Sequence, residues 1–297
     1  MAELRTTKTV PILLPSLNGD GDIGQGSIQF IGTATVIIRY AGFTVLTDPN
    51  FLHRGEYAHL GYGFRSKRLT EPALTLNDLP PVDLVVLSHL HEDHFDRRVE
   101  RELNHALPIV TTAPASATLR QKGFRRAVGL NTWEDASFVR DSVTLTVTSM
   151  PGRHGPALIA RLLPTVMGSM LEFMEANRVL LRLYISGDTL LFDKLQEITR
   201  RHGSIDQALI HLGGTRILGI LVTMDGTQGA GLLKLLRPKV AIPIHFNDYS
   251  VFRSPLSEFQ DEVHGMGLDT EVHYLGHGDR YSFEVPVPST HVSQSAS

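Results

Sequence analysis

The sequence predicts an α/β protein in which helices cover two central sheets. Apolar runs of strand length alternate with helix-like stretches along most of the 297 residues, which is typical of layered α/β domains. A hydrophobic content of 42% is enough for a sizeable core. Polar residues capable of catalysis or metal binding follow several of the apolar runs, so we expect the strand ends to form a functional edge.

The first half of the chain predicts strands, a hairpin and two helices. Ala41 and Gly42 separate two apolar runs and predict a tight hairpin. The second helix begins at a proline and ends before Gly123. The expected strands cover residues 27–31, 34–40, 43–47 and 83–88, the expected helices cover 97–105 and 114–122, and residues 51–80 are expected to be rich in loops.

The second half continues the alternation. Leu191, Leu195 and Ile198 share one face of an expected helix that Gly203 ends. Ser254 and Pro255 predict the start of another helix. The expected strands cover residues 143–148, 179–185, 205–212, 240–244, 271–275 and 280–285, and the expected helices cover 190–202, 227–236 and 255–264.

The most informative motif is the H-x-H-x-D-H run over residues 89–94. It follows an apolar run that predicts a buried strand, so its side chains lie on a loop at the edge of a sheet. Imidazole and carboxylate are the ligands that borderline divalent metals prefer. His89 and His91 can turn to one metal, while Asp93 and His94 can turn to a second.

This loop, S-H-L-H-E-D-H-F-D, resembles the signature loop of the metallo-β-lactamase superfamily. Thr47-Asp48-Pro49 resembles the T-D-P motif of that family, whose aspartate braces the metal loop. Further ligands of the family match His154, Asp188 and His245, each after an apolar run. The resemblance covers residues 27–285 and implies the family's fold, a four-layer αβ/βα sandwich.

The same resemblance implies a two-metal site. The implied ligands are His89, His91 and His154 for the first ion, Asp93, His94 and His245 for the second, and Asp188 as the bridge. Two divalent ions so placed lower the pKa of a shared water and give a hydroxide nucleophile. Zinc is the first choice of metal, with manganese and iron as alternatives. Asp93 and Asp188 are expected to act in catalysis, with His211 as a further candidate.

The stretches I-G-T-A-T-V-I-I, S-G-D-T and P-I-H-F look most like the group of ascorbate-6-phosphate lactonase and N-acylphosphatidylethanolamine phospholipase D. That likeness implies a phosphodiester or a lactone as substrate. One departure stands out, because Thr223 falls where the phospholipase pattern carries a functional histidine.

Several residues allow two interpretations. His211 is either a leaving-group acid or outer support near the site, or a satisfied histidine at a strand end. Asp225 either anchors a ligand histidine or is a helix N-terminal acid. Residues 158–174 form either a substrate lid or acyl surface, or they serve core packing or a dimer contact, which is the interpretation that we favour. Arg65, Lys67 and Arg68 either attract a phosphate or are solvated, which we favour.

Composition and sequence pattern exclude several kinds of binding partner, covalent link and metal ligand. A net charge of −3 gives no general attraction to nucleic acid or an anionic membrane. The absence of cysteine excludes disulfides and thiolate ligands. No segment has the pattern of a signal peptide or a transmembrane span, so a cytoplasmic location is expected.

We therefore expect a metal-dependent hydrolase that cleaves an ester-type bond of a small molecule, phosphorylated or acylated, by means of a metal-bound hydroxide. Two alternatives stay open, an inactive binding scaffold of the same fold and a mononuclear-iron redox enzyme. Residues 1–26 are expected to be irregular, residues 27–285 to form the hydrolase domain, and residues 286–297 to form a disordered tail. Homo-oligomerisation also stays open.

Overall fold

The computed structural model describes residues 12–16, 22–61, 63–156, 160 and 162–286. The strands, in chain order, are β1 (Ile12–Leu13), β2 (Gln25–Gly32), β3 (Thr35–Tyr40), β4 (Phe43–Thr47), β5 (Tyr57–His59), β6 (Arg65–Lys67), β7 (Leu84–Val86), β8 (Ile109–Thr112), β9 (Ala127–Leu130), β10 (Asp135–Arg140), β11 (Val143–Met150), β12 (Gly168–Glu175), β13 (Arg178–Ile185), β14 (Gln207–His211), β15 (Arg216–Ile217), β16 (Ile220–Leu221), β17 (Val240–Ile244), β18 (Glu271–Val272) and β19 (Arg280–Glu284). The helices are α1 (Arg97–Glu102), α2 (Ala113–Gln121), α3 (Gln196–His202), α4 (Gly226–Leu236) and α5 (Leu256–Met266).

Two large sheets form the centre of the molecule. The first has the order β19-β2-β3-β4-β7-β8-β9, and the second has the order β1-β10-β11-β12-β13-β14-β17-β18. Helices α1 and α2 pack on the first sheet, where Val99 and Leu119 join a cluster with Leu46. Helices α3, α4 and α5 join the larger core cluster, which also contains residues of both sheets. The result is the expected four-layer αβ/βα sandwich.

Strand β3 shows how the sequence pattern produces these layers. Successive side chains of a strand point to opposite faces of its sheet. Val36, Ile38 and Tyr40 accordingly lie in the cluster between the sheets, whereas Ile37 lies in the cluster under α1 and α2. All four are almost fully buried, and burial of each apolar side chain contributes roughly 1.5–3 kcal/mol to folding.

The parallel strands direct their carboxyl ends to one edge of the sandwich. Strand β4 runs parallel to β7, and β14 runs parallel to both β13 and β17. Loops that follow such strand ends are the usual carriers of binding residues in α/β proteins. The segments after β4, β7, β13, β14 and β17 therefore meet at this edge.

The structure differs from the predictions at several elements. Seven strands outside the small hairpin of β5 and β6 had not been predicted, namely β1, β8, β9, β10, β12, β15 and β16. The expected helix over residues 190–202 is shorter, because a 3₁₀ turn over Asp193–Leu195 precedes α3. The expected loops of residues 51–80 contain the small hairpin of β5 and β6. The segment of residues 1–26, expected to be irregular, contains β1 and the first residues of β2, and its residues 1–11 and 17–21 lie outside the described residues. The expected disordered tail lies outside them from residue 287 onward.

The apolar stretch of residues 158–174 contains strand β12 at the centre of the second sheet. Met170, Leu171 and Phe173 are fully buried in the core. The lid or acyl-surface interpretation is therefore wrong for this half, and the core interpretation is confirmed there. Residues 157–159 and 161 lie outside the described residues. Among the described helices, none is long and apolar enough to cross a lipid bilayer.

Candidate metal centre

The histidines and aspartates of the predicted site lie together at the edge where the parallel strands end. His89, His91, Asp93 and His94 follow β7 on one loop, and Asp188 follows β13. All seven implied ligands are buried, with exposed fractions of 8% or less. A cluster of buried titratable side chains is costly unless the groups are paired or bind an ion.

The first implied group is compact. Single ligand atoms of His89, His91 and His154 lie within 4.8 Å of one another. The Nε2 atom of His89 faces the Nδ1 atom of His91 at 2.9 Å. Three imidazoles with nitrogens turned to a common point match the three-nitrogen site that was expected for one ion.

The second implied group has the same compactness and adds a carboxylate. Single ligand atoms of Asp93, His94 and His245 also lie within 4.8 Å of one another. The Oδ2 atom of Asp93 lies 3.6 Å from Nε2 of His245 and 3.9 Å from Nε2 of His94. These spacings leave room for one ion among the three side chains.

Asp188 lies between the two groups. Its Oδ2 atom is 3.4 Å from Nε2 of His94, and its ligand atom groups with His94 of the second set and His89 of the first. Gly187 determines how Asp188 enters the site, because it adopts φ +62°. A Cβ atom there would lie 2.5 Å from the carbonyl oxygen of Met167, so a side chain does not fit.

Five buried atoms of these ligands have no hydrogen-bond partner among the described residues. They are Nε2 of His91, Nε2 of His94, Nε2 of His245, Oδ1 of Asp93 and Oδ1 of Asp188. Buried polar atoms are nearly always paired, so each exception calls for an explanation. Nitrogen and oxygen lone pairs of this kind are what a divalent ion requires. The residues present therefore fit the implied metals.

Hydrogen bonds outside this group fix the orientation of the ligands. The Nδ1 atom of His154 lies 2.9 Å from the carbonyl oxygen of Val222, and Nδ1 of His245 lies 3.0 Å from that of Leu212. Each contact leaves Nε2 free to face the site. Thr223 donates from Oγ1 to Oδ2 of Asp188 at 3.0 Å, a role that the sequence did not reveal.

Asp48 supports the loop that carries the histidines, as the T-D-P motif had implied. Its Oδ1 atom accepts hydrogen bonds from the backbone N–H and the Oγ atom of Ser88. Its Oδ2 atom lies 3.6 Å from Nδ1 of His94 and 3.3 Å from Nε2 of His211. Asp48 has a positive φ of 32°, and this uncommon backbone conformation lies directly beside the site.

His211 occupies a place behind the ligands. The ring is fully buried, with Nε2 beside Asp48 and Nδ1 3.4 Å from Oγ of Ser186. Both nitrogens therefore have neighbours within the fold. This environment suits a residue that orients Asp48, and it does not suit the leaving-group acid that we had considered.

The electrostatic environment separates the two ligand groups. Burial lowers the pKa of His91 to about 4 and also lowers the pKa values of His89 and His154. Burial opposes charge on His94 as well, but Asp188 and Asp93 outweigh it and raise that pKa well above the ordinary value. The first group is therefore neutral near pH 7, the form in which imidazole binds a metal.

Asp188 stays ionised despite its burial. Burial favours the protonated acid, but His245 and His94 outweigh it and hold the pKa of Asp188 well below its usual range. An ionised carboxylate with two oxygens is the form required of a bridging ligand.

A second buried polar group, which we call the Asp248 network, packs beside the site. It consists of Thr33, Asn50, Arg68, Thr70, Asp248, Tyr249 and His277. Asp248 accepts from the backbone N–H of Thr33 and from the Oγ1 atom of Thr70, each at 2.5 Å. The Thr33 carbonyl in turn accepts from the backbone N–H of His245 at 2.6 Å.

This network corrects the interpretation of the basic loop. Arg68 is fully buried and donates to Asn50 and to the carbonyl oxygen of Thr70, so it is neither solvated nor open to a phosphate. Arg65 is exposed beside the ring of Tyr57. Asp225 caps α4 by accepting from the backbone N–H of Gln228, which confirms its helix-terminal interpretation.

Comparison with known proteins agrees with this geometry. Residues 44–246 match the family described as the β-lactamase superfamily domain. A metal-dependent hydrolase of Ignicoccus hospitalis is 30% identical over 202 residues, which cover 68% of this chain and 79% of that protein. An N-acyl-phosphatidylethanolamine-hydrolyzing phospholipase D of Caenorhabditis elegans is 26% identical over 231 residues, which cover 74% of this chain and 63% of that protein.

Among solved structures, an isothiocyanate hydrolase from gut bacteria of Delia radicum has a similar fold. The TM-score is 0.73 at 21% sequence identity, over 87% of this chain and 99% of the other. At this level of identity, the similarity shows the sandwich architecture and leaves the substrate open.

Proposed function

The chain belongs to the β-lactamase superfamily and is a metal-dependent hydrolase, and we propose that it holds two divalent metal ions and cleaves a phosphodiester or a cyclic ester. The five partnerless ligand atoms carry this proposal, because they are buried and belong to side chains whose ligand atoms form groups within 4.8 Å. In this proposal His89, His91 and His154 would hold the first ion, while Asp93, His94 and His245 would hold the second. Asp188, which lies between the two groups, would serve both ions.

The ions and the side chains have separate tasks. When bound, two divalent ions supply a water of lowered pKa and positive charge for the oxygen of the substrate bond. Asp93 has an Oδ1 atom without a partner in the fold, and this oxygen would accept a hydrogen bond from the attacking water and so orient it. Thr223 holds Asp188 in one rotamer through its Oγ1 atom. Zinc is our first choice of metal, with manganese or iron as alternatives.

His211 acts in this proposal as a positioning residue. It holds Asp48, and Asp48 in turn lies beside Nδ1 of His94. An acidic group at the far nitrogen of a ligand histidine fixes the ring and raises its basicity. A change at His211 should therefore alter metal affinity, and no proton transfer to the substrate is assigned to it.

The substrate class rests on sequence likeness. The S-G-D-T and P-I-H-F stretches resemble the lactonase and phospholipase group, and the Caenorhabditis elegans relative bears the name of a phospholipase D. Thr223 hydrogen-bonds to Asp188 at the position where that pattern carries a histidine. We therefore propose a small phosphodiester or a lactone as substrate, without a phospholipid assignment.

A side-by-side assay tests the substrate class. Protein loaded separately with zinc, manganese or iron should be assayed with bis(4-nitrophenyl) phosphate, a simple lactone and a chromogenic cephalosporin. We expect turnover of the phosphodiester or the lactone, and loss of that turnover in Asp93→Ala. Efficient turnover of the cephalosporin alone would contradict the proposed substrate class, while the two-metal proposal would stand.

A further inference from the structure

A cleft of about 650 Å³ is lined in part by residues 151–153, which lead into His154. Its walls come from the segments before β10 and after β11, from the 3₁₀ turn that precedes α3, and from α3 itself. The lining residues are Thr132, Trp133, Pro151, Gly152, Arg153, Phe192, Lys194, Glu197 and Arg201. The implied metal ligands are absent from this lining, so the cleft is a separate feature of the molecule.

Positive charge predominates in the cleft. Arg153, Lys194 and Arg201 contribute three cations, and Glu197 is the one acidic residue of the lining. Glu197 is already engaged by Arg200, with 2.6 Å between Oε1 and a guanidinium nitrogen. Neither Arg153 nor Lys194 has a carboxylate partner in the part of the chain that the structure describes. Two cations of the lining, Arg153 and Lys194, are therefore available to a ligand.

Aromatic rings hold two of these cations in place. The guanidinium of Arg153 lies 4.5 Å from the ring centre of Phe192, and that of Arg201 lies 4.5 Å from the ring centre of Trp133. Stacking on a ring orients the guanidinium plane and leaves its edge N–H groups able to bind a carboxylate or phosphate in bidentate fashion. The ring of Phe192 thus orients the donors of Arg153, which has no carboxylate partner among the described residues, for an anion.

Two further observations distinguish this cleft from an ordinary basic surface. The Nε atom of Arg153 is buried and has no hydrogen-bond partner among the described residues. Trp133 adopts φ +72°, an outlying backbone conformation for a bulky residue, and its N–H donates to the carbonyl oxygen of Ser149 at 2.7 Å. Strained residues and unsatisfied donors concentrate at binding sites.

We propose that this cleft is a second binding site, specific for the phosphate or carboxylate group of a small molecule. Arg153 and Lys194 supply the charge-assisted hydrogen bonds, and Arg201 adds positive charge beside Trp133. This site goes beyond the metal-dependent hydrolysis, and its failure would leave that proposal intact. The cleft also adjoins the metal centre. The backbone N–H of Arg153 donates a hydrogen bond to Oγ1 of Thr189, and the carbonyl oxygen of Arg153 accepts one from the N–H of Leu190, two residues that follow Asp188.

The single tryptophan of the chain gives a local readout, since Trp133 lines the cleft. Full-length, metal-loaded protein should be titrated with phenylphosphonate and with benzoate while tryptophan fluorescence is recorded. We expect a saturable change that weakens at high salt, with tighter binding of whichever anion the site is built for. The two probes thereby separate a phosphate ligand from a carboxylate ligand.

Substitutions decide whether the signal comes from the cleft. Arg153→Gln and Lys194→Gln should each weaken probe binding by about tenfold, whereas Lys239→Gln, a change of an exposed lysine paired with Asp206, should not. Lys194 is exposed, so its variant tests the site even if Arg153→Gln folds poorly. The proposal is overturned if neither probe gives a saturable change, or if Lys194→Gln binds both probes like the wild type.

Discussion

Asp188 and Asp248 are both almost fully buried, yet they are arranged in opposite ways. Both oxygens of Asp248 receive hydrogen bonds from Thr33, Thr70 and His277. Asp188 keeps Oδ1 without a hydrogen-bond donor and lies among histidine nitrogens that also lack partners. A buried charge whose bonds are complete stabilises the fold, whereas a buried charge with free lone pairs indicates a ligand.

The largest expected effect follows from the substitution Asp188→Asn. Loss of the ionised carboxylate should weaken both metal sites and reduce turnover by at least about a thousandfold, because the charge in the transition state loses its support. Metal content by elemental analysis and turnover on the best substrate measure this. Asp248→Asn is the matched control and should keep two ions and most activity. Equal losses of metal and turnover in the two variants would show that Asp188 and Asp248 do not differ in role as we infer.

The substitution Asp248→Ala tests the structural role of Asp248. Asp248→Ala leaves the buried N–H of Thr33 and the hydroxyl of Thr70 without an acceptor, so the free energy of unfolding should fall by about 3 kcal/mol. Denaturant titration of the metal-loaded protein measures the loss. The folded variant should still bind two ions. A variant of unchanged stability would show that the Asp248 network does not support the fold.

A smaller effect, on metal affinity, is expected when the residues that orient the ligands are substituted. Asp48→Asn removes the acidic partner of His94 and should weaken metal binding by about 10- to 100-fold. His211→Gln should have a weaker effect in the same direction, since it acts through Asp48. Competition with a chromogenic chelator measures both. If His211→Gln abolished turnover while metal affinity stayed normal, our positioning role for His211 would be wrong.

The smallest expected effect is the pH dependence of the stability that His277 contributes. Burial opposes charge on His277, but the hydrogen bond to Asp248 outweighs it and raises the His277 pKa above its ordinary value of 6.5. The contribution of His277 to the stability of the fold is therefore complete below pH 6.5, and it is lost as the pH rises through the raised pKa of His277. The difference in Tm between wild type and His277→Gln should be larger at pH 6 than at pH 9. A difference that grew toward alkaline pH would contradict this assignment.

The sequence was sufficient for the local parts of this arrangement. Strands such as β7 and β17 are rich in Val and Ile, so they and the polar residues behind them could be predicted. Strand β12 could not, because it contains no β-branched residue and has two glutamates, so tertiary packing determines its conformation. The resemblance to a known family supplied the distant ligands His154, Asp188 and His245.

Contacts between distant segments were beyond sequence reasoning. The carbonyl oxygen of Val222 that orients His154 lies 68 positions away in the chain, and any residue can supply such an oxygen. Arg68 gave the signal of a solvated basic loop, but Asn50 and Tyr249 enclose it in the fold. A sequence shows the type of side chain, whereas burial and partners depend on the tertiary structure.

The metal content of three proteins tests the central claim most directly. Wild type, His154→Ala and His245→Ala should be loaded with zinc, freed of unbound metal and analysed for metal per folded chain. We predict two ions in the wild type and one tightly held ion in each variant, because the substitutions remove ligands of different sites. Fewer than two ions in the wild type, or two ions retained by both variants, would contradict the two-metal centre.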